Sequence, residues 1–212
     1  YSYEAVQVSS GSLEKFIDEG GAKYSGFSIT MPLKFEAAAL ANPSELLGTG
    51  VCNTLVRNET GFSGYNTDVY GVQMALKSVI RNPVKSVAVL GSGATARSAV
   101  AAASGIVGVT NITVFARDTD KAIALKELVS GDEVSFESRT LAGFTGGFDL
   151  TINTLPAGTA NSLSITPNQT GFLLSAGYST VDSDFNKHFL RDHVIAGTEM
   201  LIWQAVQQVK LF

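Results

Sequence analysis

The sequence predicts an α/β protein in two parts: a domain built on a parallel sheet and a smaller α/β unit, with a closing helix that returns to the smaller unit. Three observations predict it. From residue 84 onward, short apolar runs alternate with helix-length segments, as a parallel sheet with right-handed crossovers requires. The run KSVAVLG, residues 85–91, is almost wholly apolar, as a strand buried on both faces should be. The first half carries its own shorter set of strands and helices. The expected division is 1–80 for the smaller unit, 81–197 for the parallel-sheet domain and 198–212 for the closing helix.

Taken in order, Tyr1 to Val8 alternates enough to read as a strand. SLEKFIDEGG begins at Ser12, a possible N-cap, and ends at glycines, which makes a short helix. SGFSIT is a second strand. KFEAAAL is a helix with Pro32 near its first turn. GVCNTLVRNETGFSGYNT reads as a hairpin around the turn Asn58 to Gly61. DVYGVQMALKSVI places Val69, Val72, Leu76 and Val79 at helical spacing and starts beside the polar Asn66, Thr67 and Asp68.

Asn82 and Pro83 break that pattern. After the apolar strand comes ATARSAVAAAS, a helix of small residues that can pack close to the sheet. TNITVFAR is the next strand, DKAIALKELVS a helix, and EVSFES, FDLTINTLP, GFLLSAGY and HVIAG are further strands. TEMLIWQAVQQVKLF closes the chain as a helix.

Composition narrows the function classes. The chain has 212 residues, enough for one large domain or two small ones, and 45% are apolar. Lys plus Arg is 15 against 19 for Asp plus Glu, and the net charge of -4 gives no electrostatic case for nucleic acid. The lone Cys52 forms no internal disulfide and fits a reducing compartment. No apolar run reaches the roughly eighteen residues of a membrane span, and no signal-peptide pattern is visible. The expectation is a cytoplasmic protein that engages neither membrane nor nucleic acid. His188 and His193 show no metal-ligand spacing, so no metal is expected. The chain begins at Tyr1 inside a strand-like pattern, which raises the expectation of further chain upstream.

Between the apolar strand and the small-residue helix lies Gly91-Ser92-Gly93-Ala94-Thr95-Ala96, a G-x-G-x-x-A turn. Gly91 permits the tight turn, Gly93 lets the backbone approach a pyrophosphate, and Ala96 is small enough for the helix to lie close to the strand. The helix N-terminus offers N–H groups to the anion. This is a Rossmann-like cofactor turn. An NAD site usually has an acid at the end of the next strand. Here Ala116 and Arg117 stand there, with Asp118 one step later. A guanidinium suits a 2′-phosphate, so NADP is expected over NAD; otherwise Arg117 is a solvated residue at a helix start.

Lys34 follows Pro32 where a strand gives way to a helix, and Asp68 sits at the start of another helix. A lysine and a carboxylate brought together can exchange a proton with a substrate hydroxyl. At these residues the chain resembles the shikimate dehydrogenase family. The family's G-x-(N or S)-(V or I)-T-(I or M)-P-x-K appears as Gly26-Phe27-Ser28-Ile29-Thr30-Met31-Pro32-Leu33-Lys34. G-x-x-N-T-L appears from Gly50 to Leu55, and N-T-D-x-x-G from Asn66 to Gly71. N-(A or T)-x-P-x-G appears as Asn153-Thr154-Leu155-Pro156-Ala157-Gly158, and G-x-x-M-L-x-x-Q-A from Gly197 to Ala205. With the cofactor turn, these segments stand in family order.

The resemblance implies an NADP-dependent oxidoreductase that interconverts 3-dehydroshikimate and shikimate on the way to aromatic amino acids. Quinate or quinate/shikimate dehydrogenases using NAD, and a degenerate relative that keeps the cofactor without turnover, are the alternatives. It implies a smaller, substrate-binding and catalytic part and an NADP-binding Rossmann-like part. Lys34 and Asp68 take the roles of the catalytic pair. Thr30, Asn53 and Gln204 match residues that hydrogen-bond the substrate hydroxyls, and Tyr178 matches a tyrosine near the carboxylate. Arg117 and Thr119 match the region receiving the adenosine phosphate; Asn153, Thr154, Leu155, Pro156, Gly197 and Met200 match residues on the nicotinamide side. Relatives occur as monomers and dimers.

Bland roles exist beside these. Thr30 and Asn53 can satisfy strand ends or turns, Gln204 can face solvent, Met200 can fill core, and Trp203, Phe212 and Cys52 suit packing. The chain also departs from the family. Its members carry, before the point where this sequence starts, a first strand and an S-x-S segment that holds the substrate carboxylate. No proline follows Tyr178, Ala94 stands where many relatives have glycine, and Ser28 replaces the commoner asparagine.

Overall fold

The computed structural model describes residues 2–42, 46–177 and 183–212. Its first regular element is α1 (Leu13–Gly20). Ser12 precedes the helix but makes no side-chain cap bond. The carboxylate of Glu36 serves instead, accepting from the Gly11 N–H at 2.7 Å and the Leu13 N–H at 3.4 Å. Strands β1 (Gly26–Ser28), β2 (Thr54–Asn58) and β3 (Gly61–Tyr65) form an antiparallel sheet in that order, with Leu55 opposite both Phe27 and Gly64. The β2–β3 turn is closed by Asn58, whose Oδ1 accepts from the Thr60 N–H at 3.0 Å. Between β1 and β2 lies α2 (Lys34–Ala39). Leu13, Ile29, Leu33, Ala37, Leu46, Cys52 and Leu55 form the core of this unit.

Ser2 to Val8 does not form the expected strand. An alternating sequence needs a neighbouring strand to bond with. Here a cleft of about 410 Å³ opens between Tyr3, Val6 and Val8 on one side and Phe27, Ser28 and Ile29 on the other. The segment runs past β1 without pairing, and nearly all of it is exposed.

The rest of the chain is organised by a six-stranded, wholly parallel sheet. Helix α3 (Thr67–Val79) leads to β4 (Ser86–Leu90), α4 (Ala94–Ser104), β5 (Asn111–Ala116), α5 (Thr119–Ile123) and β6 (Ser135–Thr140). Then come β7 (Leu150–Asn153), β8 (Phe172–Ser175), α6 (Ser183–Asn186), β9 (Val194–Ala196) and α7 (Gly197–Leu211). The strand order is β6-β5-β4-β7-β8-β9. The chain therefore moves outward from β4 to β6, then returns to the other side of β4 with β7.

Both faces of this sheet are buried. Val87 and Val89 point into a core shared with Val72, Leu76, Ala99, Val100 and Ala103, residues of α3 and α4. Ala88 and Leu90, on the opposite face by the strand's period of two, pack with Phe115, Phe144, Phe185 and Phe189. This explains why β4 reads as a continuous apolar run. The second face is covered mainly by irregular, phenylalanine-rich segments and the short α6, for which no helical period is visible in the sequence. The helix expected over 120–130 begins as α5 and continues as a 3₁₀ helix, Ala124–Leu128. Its buried residues Ala122, Leu125 and Leu128 recur every three positions, and that spacing suits the tighter helix.

By internal packing, Tyr1–Thr67 and Gln208–Phe212 make one compact unit and Asp68–Gln207 another. The end of α7 thus belongs with the first strands. The Phe212 ring lies so close to Gly26 that an added Cβ there would come within 2.5 Å of it. The protein is an α/β fold of two parts, a Rossmann-like parallel-sheet domain and a smaller α/β unit to which the closing helix returns. No helix among the described residues is long and apolar enough to cross a membrane.

Candidate active site

Of the residues singled out by sequence, Thr30, Lys34 and Asn53 lie in the smaller unit, and Asp68, Gln204 and the glycine turn in the larger one. In the smaller unit, backbone hydrogen bonds gather three of them. The Ile29 N–H donates to Asn53 O at 2.7 Å, the Leu33 N–H to Thr30 O at 3.0 Å, and the Cys52 N–H to Lys34 O at 3.0 Å. Thr30, Lys34 and Asn53 therefore share one patch where β1 and β2 meet the start of α2. Lys34 opens α2 and is half-buried; Thr30 is exposed.

Asn53 is 2% exposed. Its Oδ1 accepts from the Thr67 N–H and the Thr54 hydroxyl, both at 2.9 Å, and its Nδ2 donates to Thr67 Oγ1 at 2.9 Å. Asn53 thereby satisfies an N–H at the start of α3 that the helix itself cannot bond. Asp68 follows directly, in the first turn, where the helix dipole favours a carboxylate. It is 4% exposed. Cys52 is fully buried, and burial pushes its thiol up to about 11. It stays protonated near neutral pH and behaves as a small packing residue rather than a nucleophile.

In the larger unit the glycine turn has the geometry that a dinucleotide needs. Gly91 has φ +111°, and a Cβ there would lie 2.6 Å from Thr154 Oγ1. Thr154 donates to Leu90 O through both its N–H, at 3.0 Å, and its hydroxyl, at 2.7 Å. The Gly91 N–H donates to Phe115 O at 2.8 Å. The end of β4 is thus clamped between β5 and β7, where the strand order reverses. Open α/β sheets bind ligands outside the carboxyl ends of their strands at such a point. A Cβ on Gly93 would meet nothing within 4 Å, so the space beside this backbone is open, and no side chain caps α4 there. Ala96 is fully buried, as close approach of helix to sheet requires. Ser92, Ala94 and Thr95 are half-buried around the turn. These residues fit a pyrophosphate.

Around this turn, Asn153 is buried and its Oδ1 accepts from the Leu155 N–H at 3.1 Å, shaping the segment Asn153 to Pro156. Gly197 is hemmed in: a Cβ would lie 2.4 Å from Ser175 O. Met200 belongs to the core. Its carbonyl and the Gln204 Cβ crowd Gly71, where an added Cβ would lie 2.7 Å and 2.9 Å from them, so α3 and α7 pack at close range. Gln204 is half-buried and donates to Leu201 O at 3.0 Å. Arg117 is exposed just past β5, with Thr119 half-buried at the start of α5. Asp118 caps α5, accepting from the Lys121 N–H at 3.0 Å and pairing with its ammonium at 3.2 Å. These contacts, the backbone bond first, hold its carboxyl below the usual range. Tyr178 lies outside the described residues.

No protein-family model matches the chain. Individual relatives do. A shikimate dehydrogenase (NADP(+)) of Citrifermentans bemidjiense is 35% identical over 148 residues, covering 64% of this chain and 50% of the relative. The crystal structure of Mycobacterium tuberculosis shikimate dehydrogenase superimposes with a TM-score of 0.72 at 32% identity, covering 95% of this chain and 78% of that one. The chain belongs to the shikimate dehydrogenase family. Another shikimate dehydrogenase, solved in complex with NADP+, matches with a TM-score of 0.72 at 27% identity, over 96% of this chain and 76% of that one. The matched region spans about half the length of the curated relative from Citrifermentans bemidjiense and of another from Geobacter sp.. As in structural neighbours of this family that carry nicotinamide dinucleotides, the parallel-sheet domain has the form of an NAD(P)-binding domain.

Thr54 and Thr67 fall within the quoted motifs without a site role of their own, and Gln208 in none of them, yet all three are buried polar residues of the Asn53 patch. The Asn-Thr pair stands at 53–54 and 66–67 and again at 153–154 in the larger unit, so the dipeptide by itself does not single out the two threonines. Nothing in the closing helix distinguishes Gln208 from Gln207 beside it.

Proposed function

We propose that this protein interconverts 3-dehydroshikimate and shikimate with NADP. One observation carries the reading: a chain of this family keeps Lys34 and Asp68 in the two motifs, T-M-P-L-K and N-T-D, that match the family's catalytic pair. The part spanning 1–80 binds substrate, 81–197 binds the cofactor and 198–212 packs back on the first. A bound nicotinamide dinucleotide supplies the hydride, or takes it up in the reverse direction. Lys34 handles the proton. Its ammonium protonates the forming alkoxide during reduction, and its amine takes the proton back during oxidation. Asp68 is the second member of the catalytic pair, orienting the lysine or sharing the proton. Thr30, Asn53 and Gln204 read the substrate hydroxyls with neutral groups. Such a site discriminates strongly against analogues lacking a hydroxyl, because its own buried polar atoms would go unpaired. Tyr178 lies near the carboxylate. Arg117 and Thr119 receive the adenosine phosphate, and Asn153 to Pro156, Gly197 and Met200 line the nicotinamide side.

A second reading concerns the cofactor. Asp118 stands next to Arg117, and its contacts with Lys121 favour the anion. A carboxylate after the second strand of such a fold suits the ribose hydroxyls of NAD and opposes a 2′-phosphate. That favours an NAD-linked quinate or quinate/shikimate dehydrogenase. A steady-state assay with shikimate and quinate, each against NADP and NAD, separates the two. The first reading expects shikimate with NADP to give the highest kcat/KM. Turnover of quinate with NAD alone selects the second, and no turnover with any pair removes both.

A further inference from the structure

We infer that Gln208 is a positioning residue for the Asn53 patch. The inference rests on the reading that Asn53 binds substrate. Gln208 lies near the end of α7, four residues after Gln204, and only 8% of it is exposed. A buried side-chain amide must find partners for its N–H groups and its oxygen. Here Nε2 donates to Asn53 O at 3.0 Å and to Thr54 Oγ1 at 2.9 Å, and Oε1 accepts from the Ser28 hydroxyl at 3.1 Å. Both amide protons are thus committed.

The consequence is a direction. An amide nitrogen only donates, so Thr54 Oγ1 accepts from it and sends its own proton to Asn53 Oδ1, 2.9 Å away. That oxygen also accepts from the Thr67 N–H. Asn53 is therefore held with Oδ1 as acceptor and Nδ2 as donor. The Ser28 proton, spent on Gln208, leaves that hydroxyl as an acceptor toward anything else. The Asn53 carbonyl that Gln208 bonds also receives the Ile29 N–H at 2.7 Å, one residue before Thr30. A single side chain from the last turn of the chain thus fixes Asn53 at both its main chain and, through Thr54, its amide. Bonds of this kind reinforce one another in a buried setting.

The test compares Gln208→Leu, Gln208→Glu and Thr54→Val with the parent protein. Leu keeps the volume and removes every bond; Glu keeps the shape but cannot donate to the Asn53 carbonyl. Gln208→Leu should raise KM for shikimate on the order of tenfold, with a smaller effect on kcat and no change in the NADP dissociation constant. The Gln208→Leu/Thr54→Val double variant should be clearly less impaired than the product of the singles, since both break one chain. Independent effects that multiply, or equal losses in shikimate and NADP binding, would overturn the proposal. A second readout needs no turnover. The Asn53 side-chain amide should give an NMR signal with slowed hydrogen exchange in the parent, lost in Gln208→Leu and Gln208→Glu. If the parent is inactive but this signal behaves as stated, the functional reading fails and the positioning role stands. If the signal is indifferent to Gln208, the positioning role fails whatever the activity.

Discussion

Lys34 opens α2, and its carbonyl is tied to the Cys52 N–H while its side chain is half-buried. The backbone at this point is thus fixed by a bond that does not involve the ammonium. Replacing the side chain should leave the fold in place, because Lys34→Ala removes no core atom and adds alanine at a helical position, where it is favoured. With a proton-transfer role, Lys34→Ala should lower kcat by a factor on the order of 10² to 10⁴. Thermal unfolding and NADP titration of the same variant should match the parent. An unchanged kcat would take Lys34 out of the chemistry. For Asn53 the structural role and the proposed substrate-binding role are compatible. The sequence left it as either a turn residue or a substrate ligand. It satisfies the start of α3 and lies in the patch with Thr30 and Lys34; under the proposed function, the first role would hold it in place for the second.

At the scale of elements, Asp149 binds two strands that are distant in sequence. Its carboxylate, just before β7, accepts from the Lys85 and Ser86 N–H groups at 2.9 Å each and from the Ser86 hydroxyl at 3.1 Å, at the start of β4. Burial pushes this carboxyl up, but the bonds from Ser86 and Lys85 outweigh it, and the net shift is downward. A carboxyl depressed in the folded state contributes stability above its unfolded value, near 3.9, and loses it as pH falls through the folded value. Asp149 is exposed and solvent screens part of this effect, so from its hydrogen bonds Asp149→Ala should cost no more than about 1 kcal/mol at pH 7. The gap from the parent should close as urea titrations are carried below about pH 4; a gap independent of pH would assign it to packing. Legibility differs between elements for equally physical reasons. The range of α4 can be read directly, because a glycine turn starts it and a run of small residues fixes its buried face. Ser2 to Val8 misleads, because alternation signals what a strand's faces would do and says nothing of whether a partner edge is there. The covering of the sheet's second face by Phe144, Phe185 and Phe189 is illegible, since irregular segments carry no period. Gln208 is hidden for another reason: which polar residue of a helix's last turn turns inward depends on what packs there.

For the whole molecule, the division into two compact units separates the two halves of the candidate chemistry. Lys34, Thr30 and Asn53 belong to one and the glycine turn to the other. Folding of such a chain need not be two-state, so a ligand can stabilise one unit selectively. A cofactor held by Gly91 to Ala96 stabilises Asp68–Gln207 by mass action, about 2.7 kcal/mol at a hundred times its dissociation constant. Calorimetry should show NADP raising the transition of that unit. Gly91→Ala tests whether the turn is responsible. Alanine resists φ +111°, and its Cβ would come within 2.6 Å of Thr154 Oγ1, so the turn must open. The variant should melt earlier without ligand, and that alone proves only strain. The informative quantity is the increment on adding NADP, which should fall to a small fraction of the parent's while the other unit's transition stays put. Equal increments in the two proteins would mean that the dinucleotide is held elsewhere, and the cofactor assignment of the whole parallel-sheet domain would have to be given up.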